Sequence, residues 1–422
     1  MRLLYSAALY LALPFLLLRL LWRSRRMPGY RQRLRERFGW IDMTAVSKPV
    51  IWVHAVSLGE TRAAAPLIEA LLRSHPEYSL LLTTTTPTGS EQARALFGDR
   101  VVHRYMPWDL PGSVARFLRR VRPRLLLLME TELWPNTIHQ CRRAGCRLVL
   151  ANARLSERSA AGYARLGPLT RTMLLSLDAV ACQSPEDGRR FLELGMPLDR
   201  LVVSASLKFE ISYDATQREE AARLRSLFRA DSRPILLAAS THPGEEELVL
   251  DAFAQLRELN ESCLLLLVPR HPERAGGVAK LSQGRGWCVQ LRSAGPAPDP
   301  GTDIVIGDTV GELPLLQATA SIVLVGGSLV AHGGHNPLEA AAWGVPLVCG
   351  PHMENFAAVV RQLVAAGAMI QLLPDQLTPC LCELLADAER RERMGAAASR
   401  LVEENRGALG QLLALIDDQL KA

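Results

Sequence analysis

Eight cysteines stand at positions 141, 146, 182, 263, 288, 349, 380 and 382, with no C-x-x-C pair and no zinc-finger spacing among them. No metal site is indicated by that pattern. The chain also lacks the Gly-Lys-Ser/Thr that closes a P-loop and the G-x-G-x-x-G of a dinucleotide fingerprint. Acid is missing from one end. Residues 1–40 hold nine arginines against only Glu36, a net of +8, so the whole-chain charge of +6 leaves −2 for the other 382 residues. Basicity confined to one terminus excludes a nucleic-acid-binding body. What is there is the material of a globular chain: 422 residues, 48% hydrophobic and 22% charged, enough for two domains. Several cysteines fall in apolar strand-like runs, where the residue behaves as a small buried hydrophobe, and a reduced, cytoplasmic compartment fits them.

Residues 3–22 are apolar except for Ser6, Pro14 and Arg19. Twenty residues at helical rise give about 30 Å, the thickness of a bilayer core. A cleaved signal peptide would need a basic start and a small-residue cleavage site, whereas only Arg2 precedes the run and seven arginines crowd positions 23–37. The segment reads as an anchor, with the rest of the chain on the cytoplasmic side. Pro14 and Arg19 keep open the alternative of a helix lying in the interface.

From position 50 onward, apolar runs alternate with helical periods. Strands are expected at 50–56, 80–84, 125–129, 148–151 and 179–182, and again at 235–239, 264–268, 304–306, 322–325 and 347–349, with helices such as 62–73 and 112–121 between them. Strict alternation predicts parallel sheets covered on both faces, hence two doubly wound α/β domains in tandem. Ligands of such domains bind beyond the carboxyl ends of the strands, so two of them facing each other would make a central cleft. The expected division is an anchor over 1–27, one domain over 28–212 and a second over 213–422, whose last helix has the option of packing back on the first. The polar stretch 213–220 separates the two series, and 293–299 reads as a surface loop.

The richest segment is 326–346, Gly-Gly-Ser-Leu-Val-Ala-His-Gly-Gly-His-Asn-Pro-Leu-Glu-Ala-Ala-Ala-Trp-Gly-Val-Pro. Asn336 is placed to cap a short helix, Pro337 fits its first position, Glu339 its third, and Gly344 its end. Glycines ahead of the cap let backbone approach a ligand, and the free N–H groups suit a phosphate. A structural glycine turn explains the same residues without a ligand. His332 and His335 are either ligand donors or turn histidines bonded to backbone.

Other strand ends carry polar groups. Glu60, in the helix start after His-Ala-Val-Ser-Leu-Gly, is either a favourable charge on the helix dipole or a general base kept ionised by it. Glu130 and Glu132 follow a buried strand, with Glu130 the nearer to it, and Lys208 follows 201–206. In the second half Arg270 is the natural phosphate partner. Loops at 240–245 and 307–312 repeat the strand-to-helix design.

With these motifs in hand the chain resembles the 3-deoxy-D-manno-octulosonic acid (Kdo) transferases. The resemblance rests on His-Ala-Val-Ser-Leu-Gly-Glu at 54–60, Glu-Thr-Glu-Leu-Trp-Pro-Asn at 130–136, Asn-Ala-Arg-Leu-Ser at 152–156, Leu-Lys-Phe-Glu at 207–210, Pro-Arg-His-Pro-Glu-Arg at 269–274 and Gly-Gly-His-Asn-Pro-Leu-Glu at 333–339. It implies a GT-B glycosyltransferase that moves Kdo from CMP-Kdo to the lipid A precursor lipid IVA at the inner membrane, without a metal or other cofactor. It further implies Glu60 as catalytic base, with Glu130 and Lys208 assisting the transition state. Pro269, Arg270, Val310, Gly311, Glu312, Asn336, Pro337, Leu338 and Glu339 would hold CMP. The alternatives are another GT-B nucleotide-sugar transferase or epimerase, and a catalytically silent, membrane-tethered nucleotide-sugar binder.

Overall fold

The computed structural model describes residues 1–25, 27–44 and 46–421; Arg26, part of the basic cluster and of the anchor segment, lies outside the described residues, as do Ala45 and Ala422. The chain divides into two compact units, Met1–Glu210 with Arg406–Ala422, and Ile211–Asn405.

In the first unit, strands β1 (Val50–His54), β2 (Ser79–Thr84), β3 (Val102–Tyr105), β4 (Pro123–Met129), β5 (Arg147–Ala153), β6 (Ala179–Cys182) and β7 (Leu201–Val203) form a parallel sheet in the order β3-β2-β1-β4-β5-β6-β7. Side chains alternate between its faces, as strand geometry requires. Trp52, Leu126, Leu128 and Leu150 enter one apolar cluster, while Ile51, Val53, Leu125 and Leu127 enter another on the opposite face. That explains why β4 reads as an unbroken leucine run rather than an alternating one. The C-terminal helix Ala408–Lys421 covers the second face through Ala408, Leu412 and Ile416, spaced four apart.

The second unit repeats the plan with β8 (Ile235–Thr241), β9 (Leu264–Pro269), β10 (Val289–Leu291), β11 (Ile304–Ile306), β12 (Ile322–Val325), β13 (Leu347–Cys349) and β14 (Met369–Gln371), in the order β10-β11-β9-β8-β12-β13-β14. Every pairing in both sheets is parallel. The order in which strands are added reverses between β1 and β4 in the first sheet and between β8 and β12 in the second, the switch points at which such sheets form ligand-binding crevices.

Strands β3, β10 and β14 were not expected. Each lies at or near a sheet edge and is only partly buried, so its residues carry no apolar run. The stretch 213–220 is no linker: Asp214 caps the helix Ala215–Leu227, with Gln217 completing a capping box. At the N-terminus Arg2–Ser24 is one continuous helix, with Pro14 inside it, long and apolar enough to cross a membrane.

Candidate active site

The β1–β4 crevice collects the polar groups of the first unit. Ser57 caps the helix Leu58–Ser74, and Glu60 in its first turn bends back: Val56 N–H donates to its carboxylate at 2.8 Å and the Ser57 hydroxyl at 3.0 Å. Burial raises the Glu60 pKa above the usual carboxylate range, and the charge of Glu130 raises it further, against those two hydrogen bonds and Arg154. Desolvation is the largest of these influences and acts against the helix dipole, which favours the anion. For a general base this is the useful direction, toward neutrality.

Glu130 leaves β4 with φ +57°, a left-handed conformation rarely adopted by a residue with a side chain. Arg154 pairs with its carboxylate at 2.9 Å. Two residues on, Glu132 accepts from the Trp134 indole N–H at 2.9 Å. Burial, then the charges of Glu60 and Glu130, push its pKa up to about 7. Lys208 sits on the turn Leu207–Phe209, whose Leu207 N–H donates to the buried Asn152 side chain at 3.1 Å. Burial lowers the lysine's pKa, opposed by Glu130 and Glu60. Glu60, Glu130 and Lys208 are thus brought into one electrostatic cluster. Glu132 and Arg154 belong to it as well, and sequence reading gave neither a role. The signal for Arg154 was present in the motif at 152–156.

In the second unit the glycine loop differs from expectation. Glu245, only 1% exposed, fills it: one carboxylate oxygen accepts from Ser328 N–H (3.0 Å) and Leu329 N–H (2.9 Å), the other from Gly327 N–H (2.7 Å) and His242 N–H (2.9 Å). Those backbone donors are satisfied within the protein. Gly326 is required by the fold, since a Cβ there would lie 2.5 Å from the Ser240 carbonyl oxygen. The helix that follows is only Leu338–Ala342. Asn336 does accept from Leu338 N–H at 3.1 Å, but Pro337 precedes the first helical residue rather than occupying it. Glu339 accepts from the Asn336 amide at 3.2 Å, in place of the reciprocal backbone bond of a capping box. The Leu338 side chain is fully buried.

Pro269 ends β9, and Arg270 follows with its N–H on the Thr241 carbonyl at 3.0 Å. Its guanidinium has no ion-pair partner among the described residues, whereas Arg274 is held by the buried Glu246 at 2.8 Å. Beyond β11, Val310 is 86% exposed, Gly311 has φ +88°, and Glu312 pairs with Arg292 at 2.8 Å. His332 and His335 come together with a histidine of another loop: the His335 and His242 Nε2 atoms are 2.9 Å apart, and His332 stacks on His242 with centroids 4.0 Å apart. Burial and the neighbouring cationic groups lower the His242 pKa. Two histidines ninety residues from a third gave no sequence signal of this stack.

A family model described as 3-Deoxy-D-manno-octulosonic-acid transferase (kdotransferase) matches residues 32–211. The 3-deoxy-D-manno-octulosonic acid transferase of Haemophilus influenzae is 41% identical over 423 residues, 100% of this chain and 99% of its own length. That of Bordetella pertussis is 38% identical, with 95% of each covered. The solved UDP-GlcNAc 2-epimerase of Neisseria meningitidis, bound to UDP-GlcNAc, is similar at a TM-score of 0.53 with 14% identity, covering 84% of this chain and 99% of that one, a likeness of fold alone. Two parallel doubly wound units with these full-length relatives make the chain a glycosyltransferase of the GT-B fold. Within that class, it belongs to the 3-deoxy-D-manno-octulosonic acid (Kdo) transferase family.

Proposed function

We propose that this chain transfers Kdo from CMP-Kdo to the 6′ hydroxyl of lipid IVA, releasing CMP with inversion at the anomeric carbon and without a metal. The observation that carries the reading is the half-buried cluster of Glu60, Glu130, Glu132 and Lys208, with the exposed Arg154 on Glu130, at the β1–β4 crevice. Glu60 takes the proton of the acceptor hydroxyl as its oxygen forms the new bond, and the electron pair of the breaking glycosidic bond leaves on the CMP phosphate. A carboxylate of raised pKa suits that proton transfer. Glu130, held by Arg154, stabilises the oxocarbenium character of the transition state electrostatically, and Lys208 the negative charge developing on the leaving phosphate.

On the donor side, Pro269, Arg270, 310–312 and 336–339 hold CMP, with Arg270 as the uncommitted cation for its phosphate. Residues 28–212 would then bind the acceptor and 213–422 the donor. The N-terminal helix and its arginines hold the enzyme on the cytoplasmic face of the inner membrane, where a lipid acceptor is embedded. Incubation with CMP-Kdo and lipid IVA, followed by mass spectrometry, tests the reaction: a mass increase of one or more Kdo residues is expected, unaffected by EDTA. An unchanged acceptor mass beside intact CMP binding would leave a nucleotide-sugar binder.

A further inference from the structure

The helix Arg2–Ser24 is tied to the first unit at its start, and the chain is fixed to the same unit again a few residues beyond its end. At its start, Arg2 and the Ser6 hydroxyl donate to the Asn136 side-chain oxygen at 3.1 and 3.0 Å, and Tyr5 hydrogen-bonds Asp109. Asp109 is buried and accepts from the N–H groups of Asn136 (2.9 Å) and Thr137 (2.7 Å), so this is a built contact rather than a surface touch. Beyond its end, the chain passes the turn Pro28–Tyr30 and is fixed again at β3: Arg33 donates to the His103 carbonyl at 2.9 Å, and Glu36 accepts from Tyr105 N–H at 2.7 Å.

Twenty-three residues at helical rise cover about 35 Å, the full thickness of a bilayer core. A spanning helix would carry its two ends to opposite sides of the membrane. Here the start of the helix and the chain at Arg33–Glu36, shortly beyond its end, meet the same globular unit. Its packed face runs the whole length, with positions 5, 6, 9, 13, 16, 17, 20 and 24 buried or half-buried at helical spacing. The opposite face, with Leu3, Leu4, Leu11, Phe15, Leu18 and Trp22, is exposed, Leu11 to 84%. Where that stripe ends, Trp22, Arg23, Arg25, Met27 and Tyr30 line a cavity of about 470 Å³, with the Arg23 guanidinium 5.7 Å from the Tyr30 ring centroid. Aromatic and arginine side chains beside an apolar stripe match the headgroup level of a membrane.

We infer that Arg2–Ser24 lies in the plane of an anionic phospholipid surface instead of crossing it, its Leu3–Trp22 face in the acyl boundary and Arg23 and Arg25 on lipid phosphates. The inference deepens the membrane reading above. It also sets the membrane close to the chemistry in sequence and structure, because Asn136, the docking partner, belongs to the helix that opens three residues after Glu132.

Topology is read on the full chain bearing an N-terminal epitope, in sealed inverted inner-membrane vesicles whose cytoplasmic face is outside. Externally added protease is expected to remove the epitope without detergent. An epitope protected until detergent is added overturns the inference. A second measurement uses vesicles of phosphatidylcholine with or without phosphatidylglycerol. Arg23→Gln and Arg25→Gln are each expected to weaken binding roughly fivefold on the anionic vesicles only, about 1 kcal/mol per basic residue, and equal loss on both lipids would remove the headgroup contact. Neither readout requires turnover, so failure of the transfer assay with an accessible epitope would sink the activity and leave this topology standing.

Discussion

Each of the two sheets follows its first strand with a glutamate in the opening turn of a helix, Glu60 after β1 and Glu245 after β8, and the two carboxylates are used in opposite ways. Glu245 accepts from four backbone N–H groups and is fully enclosed. Glu60 accepts from one N–H and one hydroxyl, and shares its surroundings with Glu130. A carboxylate whose oxygens accept from four backbone donors has no lone pair to offer a substrate. One that is desolvated and beside another carboxylate, as Glu60 is, holds its proton more tightly than an exposed one. The same strand–turn–helix therefore yields a rigid loop in one unit and a candidate base in the other. The number of donors aimed at the carboxylate decides between them.

The sharpest way to break this contrast is to make the same isosteric change at both positions. Glu60→Gln keeps the shape and removes the basic oxygen, so turnover is expected to fall by about 10²–10⁴-fold while CMP affinity stays at wild type. Wild-type turnover in that variant would remove Glu60 from the chemistry. Glu245→Gln turns an amide N–H₂ toward backbone N–H groups, which leaves donors facing donors. Hydrogen bonds to a charged group contribute about 1.5–3 kcal/mol each, non-additively, so a loss of stability in that range is the least expected. Denaturant titration measures it, and an unchanged midpoint would show that the loop does not depend on its carboxylate.

Much of this contrast was legible in the chain and part of it was not. Runs such as Leu125–Met129 announce themselves because a parallel strand is buried on both faces. Edge strands such as Val102–Tyr105, with only alternate residues buried, do not. Glu60 and Glu130 were singled out because each follows a strand of that legible kind, whereas Lys208 follows an exposed edge strand and was carried by the motif at 207–210. Glu132 was ranked below Glu130, since a pKa near 7 arises from burial and from the charge of Glu60, which another strand brings, with that of Glu130 adding to it. The glycine loop was recognised, but its occupant is Glu245, some eighty residues earlier, and no local pattern connects the two. The histidine stack of 242, 332 and 335 was hidden for the same reason.

If the second unit's carboxylates are internally satisfied, its ligand chemistry falls to cations and amides. Arg270→Ala is expected to weaken CMP binding by about 10–100-fold, the loss of a charged hydrogen-bonding partner at about 1.5–3 kcal/mol. Asn336→Ala should cost less, roughly 0.5–2 kcal/mol, as for removal of a cap. Calorimetry with CMP ranks the two, and unchanged affinity in both would move the nucleotide elsewhere.

The smallest expected effect tests whether the first unit's carboxylates are coupled. Glu132 has an ordinary value of 4.5 and a folded value of about 7. A carboxyl whose pKa is raised on folding lends its stabilisation fully below the unfolded value, and that stabilisation is lost as pH rises through the folded one. Wild-type melting temperature, taken relative to Glu132→Gln, is therefore expected to decline from about pH 4.5 to beyond 7, because the amide cannot ionise. In Glu60→Gln the decline should shift to lower pH without vanishing, since burial is the first cause of the shift and the Glu60 charge the second. Melting curves for the three proteins across that range give the comparison. Parallel curves for wild type and Glu132→Gln would mean that Glu132 ionises as an ordinary surface carboxylate, and the first unit would then hold its carboxylates as independently as the second holds Glu245.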